Sequence, residues 1–192
     1  MKSKRIFILL GHPDSDTLTG SLAKTYENEA KLSGYEVRRL NIGDLSFDPI
    51  LHKGYKVIQE LEPDLKLIQE HIKWCDHFVL MYPLWWSAVP ALLKGMFDRM
   101  WLPHFAFRYR KDKMGWDALL KGKTARVVVL SNLNAFVIRF FFGDFSNEIT
   151  KATLGFSGMK VRLTEIGNSE HLSDAKKAYW FAKIGGLARK AK

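Results

Sequence analysis

Three stretches of this chain carry residues whose types and spacing could do chemistry. The first is Gly11-His12-Pro13-Asp14-Ser15-Asp16-Thr17-Leu18-Thr19, which sets hydroxyls at Ser15, Thr17 and Thr19 beside one imidazole. It precedes residues with helical spacing. Hydroxyls next to the unpaired amides of a helix N-terminus suit a phosphate. A plain capped helix start would look the same, and Asp14 and Asp16 would repel an anion. The second stretch, Tyr82-Pro83-Leu84-Trp85-Trp86-Ser87-Ala88-Val89-Pro90, puts two indoles between prolines that stiffen the loop. An indole packs well on a flat ring system, although large aromatics more often end in a core. On an extended segment neighbouring side chains point oppositely, so at least one of the two tryptophans should leave the core. The third stretch, residues 131–144, holds Ser131, Asn132 and Asn134 and then the apolar run Phe136-Val137-Ile138-Arg139-Phe140-Phe141-Phe142.

The elements that must position these residues can be read from the pattern. Apolar runs at 5–10, 77–82 and 124–130 suit strands buried on both faces; 35–41, with Val37 and Leu40 among basic residues, and 161–166 read as two further strands. Leu18, Leu22, Tyr26 and Ala30 recur every four residues, as on one face of a helix, and Gly34 can stop it. Pro63 fits the first turn of a helix to about Lys73 with Leu67 and Ile68 inward. Pro90 can open another, with Leu93, Phe97 and Trp101 on one side. A last helix spans about 173–190 with Ser173 as its cap. Strand–helix alternation of this kind predicts an α/β fold: a doubly wound, five-stranded parallel sheet in one domain over 1–192. Ligands of such sheets bind beyond the carboxyl ends of the strands, where the strand order reverses. That rule nominates the loops at 11–19, 83–89 and 131–144.

Composition excludes several classes. The chain has 192 residues, 47% of them hydrophobic, enough for a sizeable core and too many for intrinsic disorder. Lys and Arg exceed Asp and Glu by ten, a field that favours anionic partners without choosing one. The basic clusters Arg108-Tyr109-Arg110-Lys111 and 183–192 match no nucleic-acid-binding pattern, so no nucleic-acid partner is expected. The single cysteine, Cys75, suits a reducing compartment and a structural thiol. The longest uncharged apolar stretch, 78–93, is interrupted by Pro83 and Pro90, so a cytoplasmic protein without membrane insertion is expected. His52, His71, His77, His104 and His171 show no metal-ligand spacing, and no metal is expected. The glycine fingerprint of dinucleotide-binding folds, the phosphate loop of NTPases and the nucleophile elbow of hydrolases are all missing.

Taken together, these residues resemble the flavodoxin-like NAD(P)H:quinone oxidoreductases, the DT-diaphorase-like proteins. The likeness covers most of residues 4–145 and rests on four stretches. These are His12 with its hydroxyl-rich loop, Asp44-Leu45-Ser46-Phe47-Asp48-Pro49, Pro83-Leu84-Trp85-Trp86 with Val89-Pro90-Ala91-Leu92-Leu93-Lys94-Gly95 and Asp98-Arg99, and Phe105-Ala106-Phe107-Arg108-Tyr109. The resemblance implies strand order 2-1-3-4-5 and a non-covalent flavin, FMN or else FAD, reduced by NAD(P)H. A quinone-like acceptor would then alternate with the nicotinamide on one face of the flavin ring. It implies that His12, Thr17, Leu18 and Thr19, with Ser15, surround the flavin phosphate. Pro83, Leu84, Trp85 and Trp86, with Ser131 and Asn132, would line the ring. A homodimer is implied, with the 45–51 loop, Phe105 and Phe107 at its interface and over the site.

The third stretch departs from the family. Aligning Gly143-Asp144 with the family's Gly-Asp puts Phe136 at its usual Tyr and Phe142 at its usual His, and neither can donate a hydrogen bond. Asn132 and Asn134 are the expected replacement donors and the candidate catalytic residues. A second reading, a flavin-binding ancillary subunit of a potassium-efflux system, would tolerate the loss of that pair.

Overall fold

A computed structural model describes residues 3–111 and 114–191. Met1 and Lys2 of the basic start, and Lys192 of the last basic cluster, lie outside the described residues. The strands are β1 (Arg5–Leu10), β2 (Glu36–Asn41), β3 (His77–Pro83), β4 (Phe107–Tyr109), β5 (Trp116–Ala118), β6 (Thr124–Leu130) and β7 (Lys160–Ile166). The helices are α1 (Leu18–Leu32), α2 (Pro63–Trp74), α3 (Ala91–Met100), α4 (Ala135–Phe142) and α5 (Asp174–Arg189). A π-helical segment runs over Glu148–Gly155.

One sheet has the parallel order β2-β1-β3-β6-β7, the doubly wound order expected from the sequence. Alternation along β1 explains why its run is apolar without a break. Phe7 and Leu9 enter the core under α2 and α3, with Phe78, Leu80 and Tyr82. Ile6, Ile8 and Leu10 enter the core under α1 and α5, with Leu22, Tyr26, Ile184 and Ala188. The register pairs Leu10 with Asn41 and with Met81, Pro83 with Leu130, and Leu130 with Ile166. The strands therefore end together, and the order reverses between β1 and β3.

Four details differ from the sequence reading. The inward residues of α2 are Leu65, Ile68 and Ile72, while Leu67 is only half-buried. Residues 135–142, read as part of a loop, form α4. The β4–β5 hairpin and the π-helical segment carry no clear periodic signal in the sequence. Phe105, expected at an interface, is 5% exposed and packs edge-on against Trp101.

The irregular stretch between β2 and α2 is pinned by Arg99 of α3. Its guanidinium donates to the Asp48 carbonyl, to the Glu60 carbonyl at 2.8 Å and to both oxygens of the Glu62 carboxylate at 3.1 and 2.9 Å. Gly95 allows this approach, since a Cβ there would lie 2.5 Å from the Pro49 carbonyl oxygen.

His77 opens β3 inside the second core, 1% exposed, with Nδ1 2.7 Å from the Thr124 hydroxyl. Burial, reinforced by the charges of Lys4 and Arg126, pushes its pKa down to about 3. The unfolded chain therefore takes up a proton near pH 6.5 that the folded chain refuses until about pH 3, so stability falls with pH across that window. Between pH 7 and 4.5 this group alone should remove about 2–3 kcal/mol. Urea titrations of the wild type and His77→Gln check it: the variant should show a flatter pH dependence, and parallel curves would contradict the assignment.

Candidate active site at the carboxyl edge of the sheet

Loop one leaves β1 at Gly11, whose amide still donates to the Met81 carbonyl at 2.7 Å. The loop folds on itself. His12 Nδ1 accepts from the Asp14 amide at 2.9 Å, and Asp14 Oδ1 accepts from the Asp16 amide at 2.8 Å. One carboxylate is thereby committed to the turn. Thr17 is the N-cap of α1, and its hydroxyl accepts from the Gly20 amide at 3.2 Å. The amides of Ser15, Thr17, Leu18 and Thr19 make no hydrogen bond among the described residues. They are donors at the positive end of a helix. Thr19 itself is 3% exposed, Leu18 is half-buried, and Ser15 and Asp16 are exposed. Ser15 lines a polar cleft of about 610 Å³ toward β2, with Ser21, Lys24 and Arg39.

Loop two is a tight turn, not the extended segment assumed from the sequence. Trp85 and Ala88 exchange both backbone hydrogen bonds at 2.9 Å. Trp86 and Ser87 between them have φ of 52° and 59°. This is a two-residue turn of type I′, which normally uses Gly or Asn. A bulky residue in the left-handed region costs roughly 1–2 kcal/mol, and such strain concentrates at functional sites. Both indoles leave the core, with Trp85 43% and Trp86 99% exposed. The Leu84 amide is taken by the Leu130 carbonyl at 2.7 Å, whereas the amides of Trp86 and Ser87 have no partner among the described residues. The Trp85 ring meets His12 edge-on at 5.5 Å, which joins loop two to loop one.

Loop three is short. The Ser131 amide donates to Ile166 at 2.9 Å, and its hydroxyl donates to the Leu133 carbonyl at 2.8 Å. Asn134 is the N-cap of α4, accepting from the Phe136 amide at 2.8 Å. That role was not anticipated, and it commits the Asn134 side-chain oxygen. Asn132 is exposed, with Oδ1 3.5 Å from the Ser169 hydroxyl. Asp144 is held below the usual carboxylate range by the Ser146 hydroxyl and amide, then by the charges of Arg139 and Lys151.

Loops two and three enclose a cavity of about 940 Å³. Leu84, Trp85, Trp86 and Ser87 form one wall; Ser131, Asn132, Leu133, Ile138 and Phe142 form the other. Of the two phenylalanines singled out above, Phe142 lines this cavity, whereas Phe136 is 76% exposed outside it. A second, largely apolar groove of about 820 Å³ lies between the 51–59 loop, α3 and β4, lined by Tyr55, Ile58, Trp101, Phe107 and Tyr109 among others. Among the described residues no three His, Cys, Asp or Glu side chains gather as a metal site, and no helix is long and apolar enough to cross a membrane.

Comparison with known proteins agrees with this fold. A family model described as a flavodoxin-like fold matches residues 4–184. An uncharacterized NAD(P)H oxidoreductase of Escherichia coli is 28% identical over 131 residues, spanning 64% of this chain and 67% of its own. The mouse ribosyldihydronicotinamide dehydrogenase (quinone) is 25% identical over 221 residues, spanning 97% of this chain and 93% of its own. The FMN complex of an FMN-dependent NADH-azoreductase from Bacillus anthracis superposes with a TM-score of 0.78 at 19% identity, over 98% of this chain and all of that one. At that identity the likeness is one of fold.

Proposed function

This chain belongs to the flavodoxin-like family matched by residues 4–184, and from that premise we propose that it is a flavin-dependent oxidoreductase passing electrons from NAD(P)H to a quinone or similar small acceptor. The observation that carries the reading is the aromatic cavity of about 940 Å³ at the reversal of strand order, with the amide-rich start of α1 beside it. The donor set fits a flavin. A planar ring needs an apolar slot with donors at its edge, and the Trp86 and Ser87 amides with Asn132 supply those donors. A terminal phosphate needs several converging N–H groups, and loop one has them.

A bound flavin supplies the two-electron chemistry, and the protein supplies binding, orientation and exclusion of water. Pro83, Leu84, Trp85 and Trp86 hold the ring, with Ser131 and Asn132 opposite. His12, Ser15, Thr17, Leu18 and Thr19 hold the phosphate end. FMN is favoured over FAD because the Ser15-x-Thr17-x-Thr19 run resembles a monophosphate loop. Of the two candidate asparagines, Asn132 lines the cavity with Phe142 whereas Asn134 caps α4, so Asn132 is the candidate donor to the ring where Phe142 offers only an apolar wall. The groove beside Phe107 is the surface for a second copy of the chain. Steady-state assays with added FMN test the reading. Oxidation of NADH or NADPH should depend on a soluble quinone. Absence of turnover with both nucleotides and several quinones would overturn the enzyme assignment.

A further inference from the structure

Helix α4 is apolar at every position but Arg139, yet only Ile138 reaches the core. Phe136, Phe140, Phe141 and Phe142 are 76%, 74%, 69% and 66% exposed. Trp86, fully exposed, stands across the cavity from the end of this helix. Exposed apolar surface of this extent marks an interaction site.

Geometry and charge narrow the partner. Successive helical residues are about 100° apart, so Phe140, Phe141 and Phe142 splay over about 200° of the helix. One flat protein face cannot cover them all; a fluid acyl–headgroup boundary can. Arg139 is bound by Glu165 through both guanidinium nitrogens, one contact at 2.9 Å, and lies 4.0 Å from Asp144, so the helix enters such a boundary without an unpaired ion. The segment after β7 packs on the start of α4, since a Cβ on Gly167 would lie 3.0 Å from Asn134 Cα. It leads into the exposed Lys176 and Lys177 of α5. Glu170 and Asp174 cancel these in number, so the long-range attraction to an anionic surface comes from the chain's net charge of +10.

We propose that α4 and Trp86 seat the protein on an anionic lipid bilayer, with the mouth of the aromatic cavity against the headgroups. Aromatic side chains favour that depth, and a helix lying in the interface plane buries its apolar side chains there. An acceptor dissolved in the bilayer then reaches the cavity past Phe142 and Trp86 without crossing water. This last step rests on the flavoenzyme reading; the docking does not.

The test is cosedimentation of the full, FMN-treated chain with vesicles of equal parts phosphatidylcholine and phosphatidylglycerol. It compares the wild type with Phe140→Ser/Phe141→Ser, two residues outside the cavity wall. The wild type should pellet with the vesicles and bind pure phosphatidylcholine less, and the variant should bind at least tenfold less. Brominated acyl chains should quench wild-type tryptophan fluorescence, a readout that needs no variant. Equal binding by both proteins, no wild-type binding, or no quenching would overturn the proposal. So would gel filtration showing that the substitution splits a dimer, since the face would then be a contact between copies. Vesicle binding by a chain that takes up no flavin would leave the docking standing and remove the flavoenzyme reading instead.

Discussion

Gly43→Ala should weaken FMN binding at least tenfold while leaving the sheet intact. Gly43 sits in a single 3-10 turn, Ile42–Asp44, at the end of β2. A Cβ there would lie 1.8 Å from the Pro13 carbonyl oxygen and 2.7 Å from its carbon. Both atoms are backbone of loop one, between His12 and Asp14, so the added methyl must push the loop itself. From the other side, a Cβ on Gly20 would lie 2.0 Å from the Ser15 carbonyl oxygen. Two close approaches thus clamp the loop whose amides are proposed to receive the phosphate. A displacement of about 1 Å spoils several hydrogen bonds at once, and losing 1.4 kcal/mol is already tenfold. Flavin fluorescence titration reads the affinity, and circular dichroism confirms the fold. Unchanged affinity would mean that loop one does not hold the phosphate.

Glu62→Ala should have the largest effect on stability, about 3 kcal/mol. The Arg99 side chain is fully buried, and the variant leaves its charge with only the Asp48 and Glu60 carbonyls. Removing one partner of a buried pair typically costs about 3–5 kcal/mol. Glu62 is 29% exposed, which places the expectation at the low end. Burial alone would raise the Glu62 pKa, but the Arg99 hydrogen bond, backbone amides and the Arg99 charge outweigh it and hold the carboxyl below its ordinary 4.5. The pair's contribution is therefore present above that value and declines as pH falls through the lower folded pKa. Urea denaturation at pH 7 and pH 4 checks both statements. A loss under about 1 kcal/mol at pH 7 would show that the pair is dispensable.

The two faces of the sheet were legible because the central strands are continuously apolar over 6–10, 78–82 and 127–130, a pattern that double-sided burial explains. The helix start at Ser173 was legible from cap chemistry, whereas Thr17, read as a phosphate donor, turns out to cap α1. Helix α4 was not, because eight residues with one polar position have no period; the signal was Asn134, whose capping role competes with its reading as a ligand donor. The β4–β5 hairpin has three residues per strand, with Arg108 and Asp117 paired across it, too short to show alternation. The left-handed turn at Trp86 and Ser87 was hidden for another reason: nothing in those residue types asks for positive φ, and the closure is seen only in the paired Trp85–Ala88 hydrogen bonds. The same turn leaves the amides of two cavity-lining residues without a partner among the described residues, and the sequence alone does not say which amides a loop leaves unpaired.

If the three loops form one flavin site, as proposed, the purified chain should take up flavin. The chain is incubated with FMN and FAD together and desalted, and heat-released flavin is identified by mass. Uptake should approach one flavin per chain, mainly FMN, and fall sharply in Trp85→Ala. A chain that retains neither flavin would contradict it.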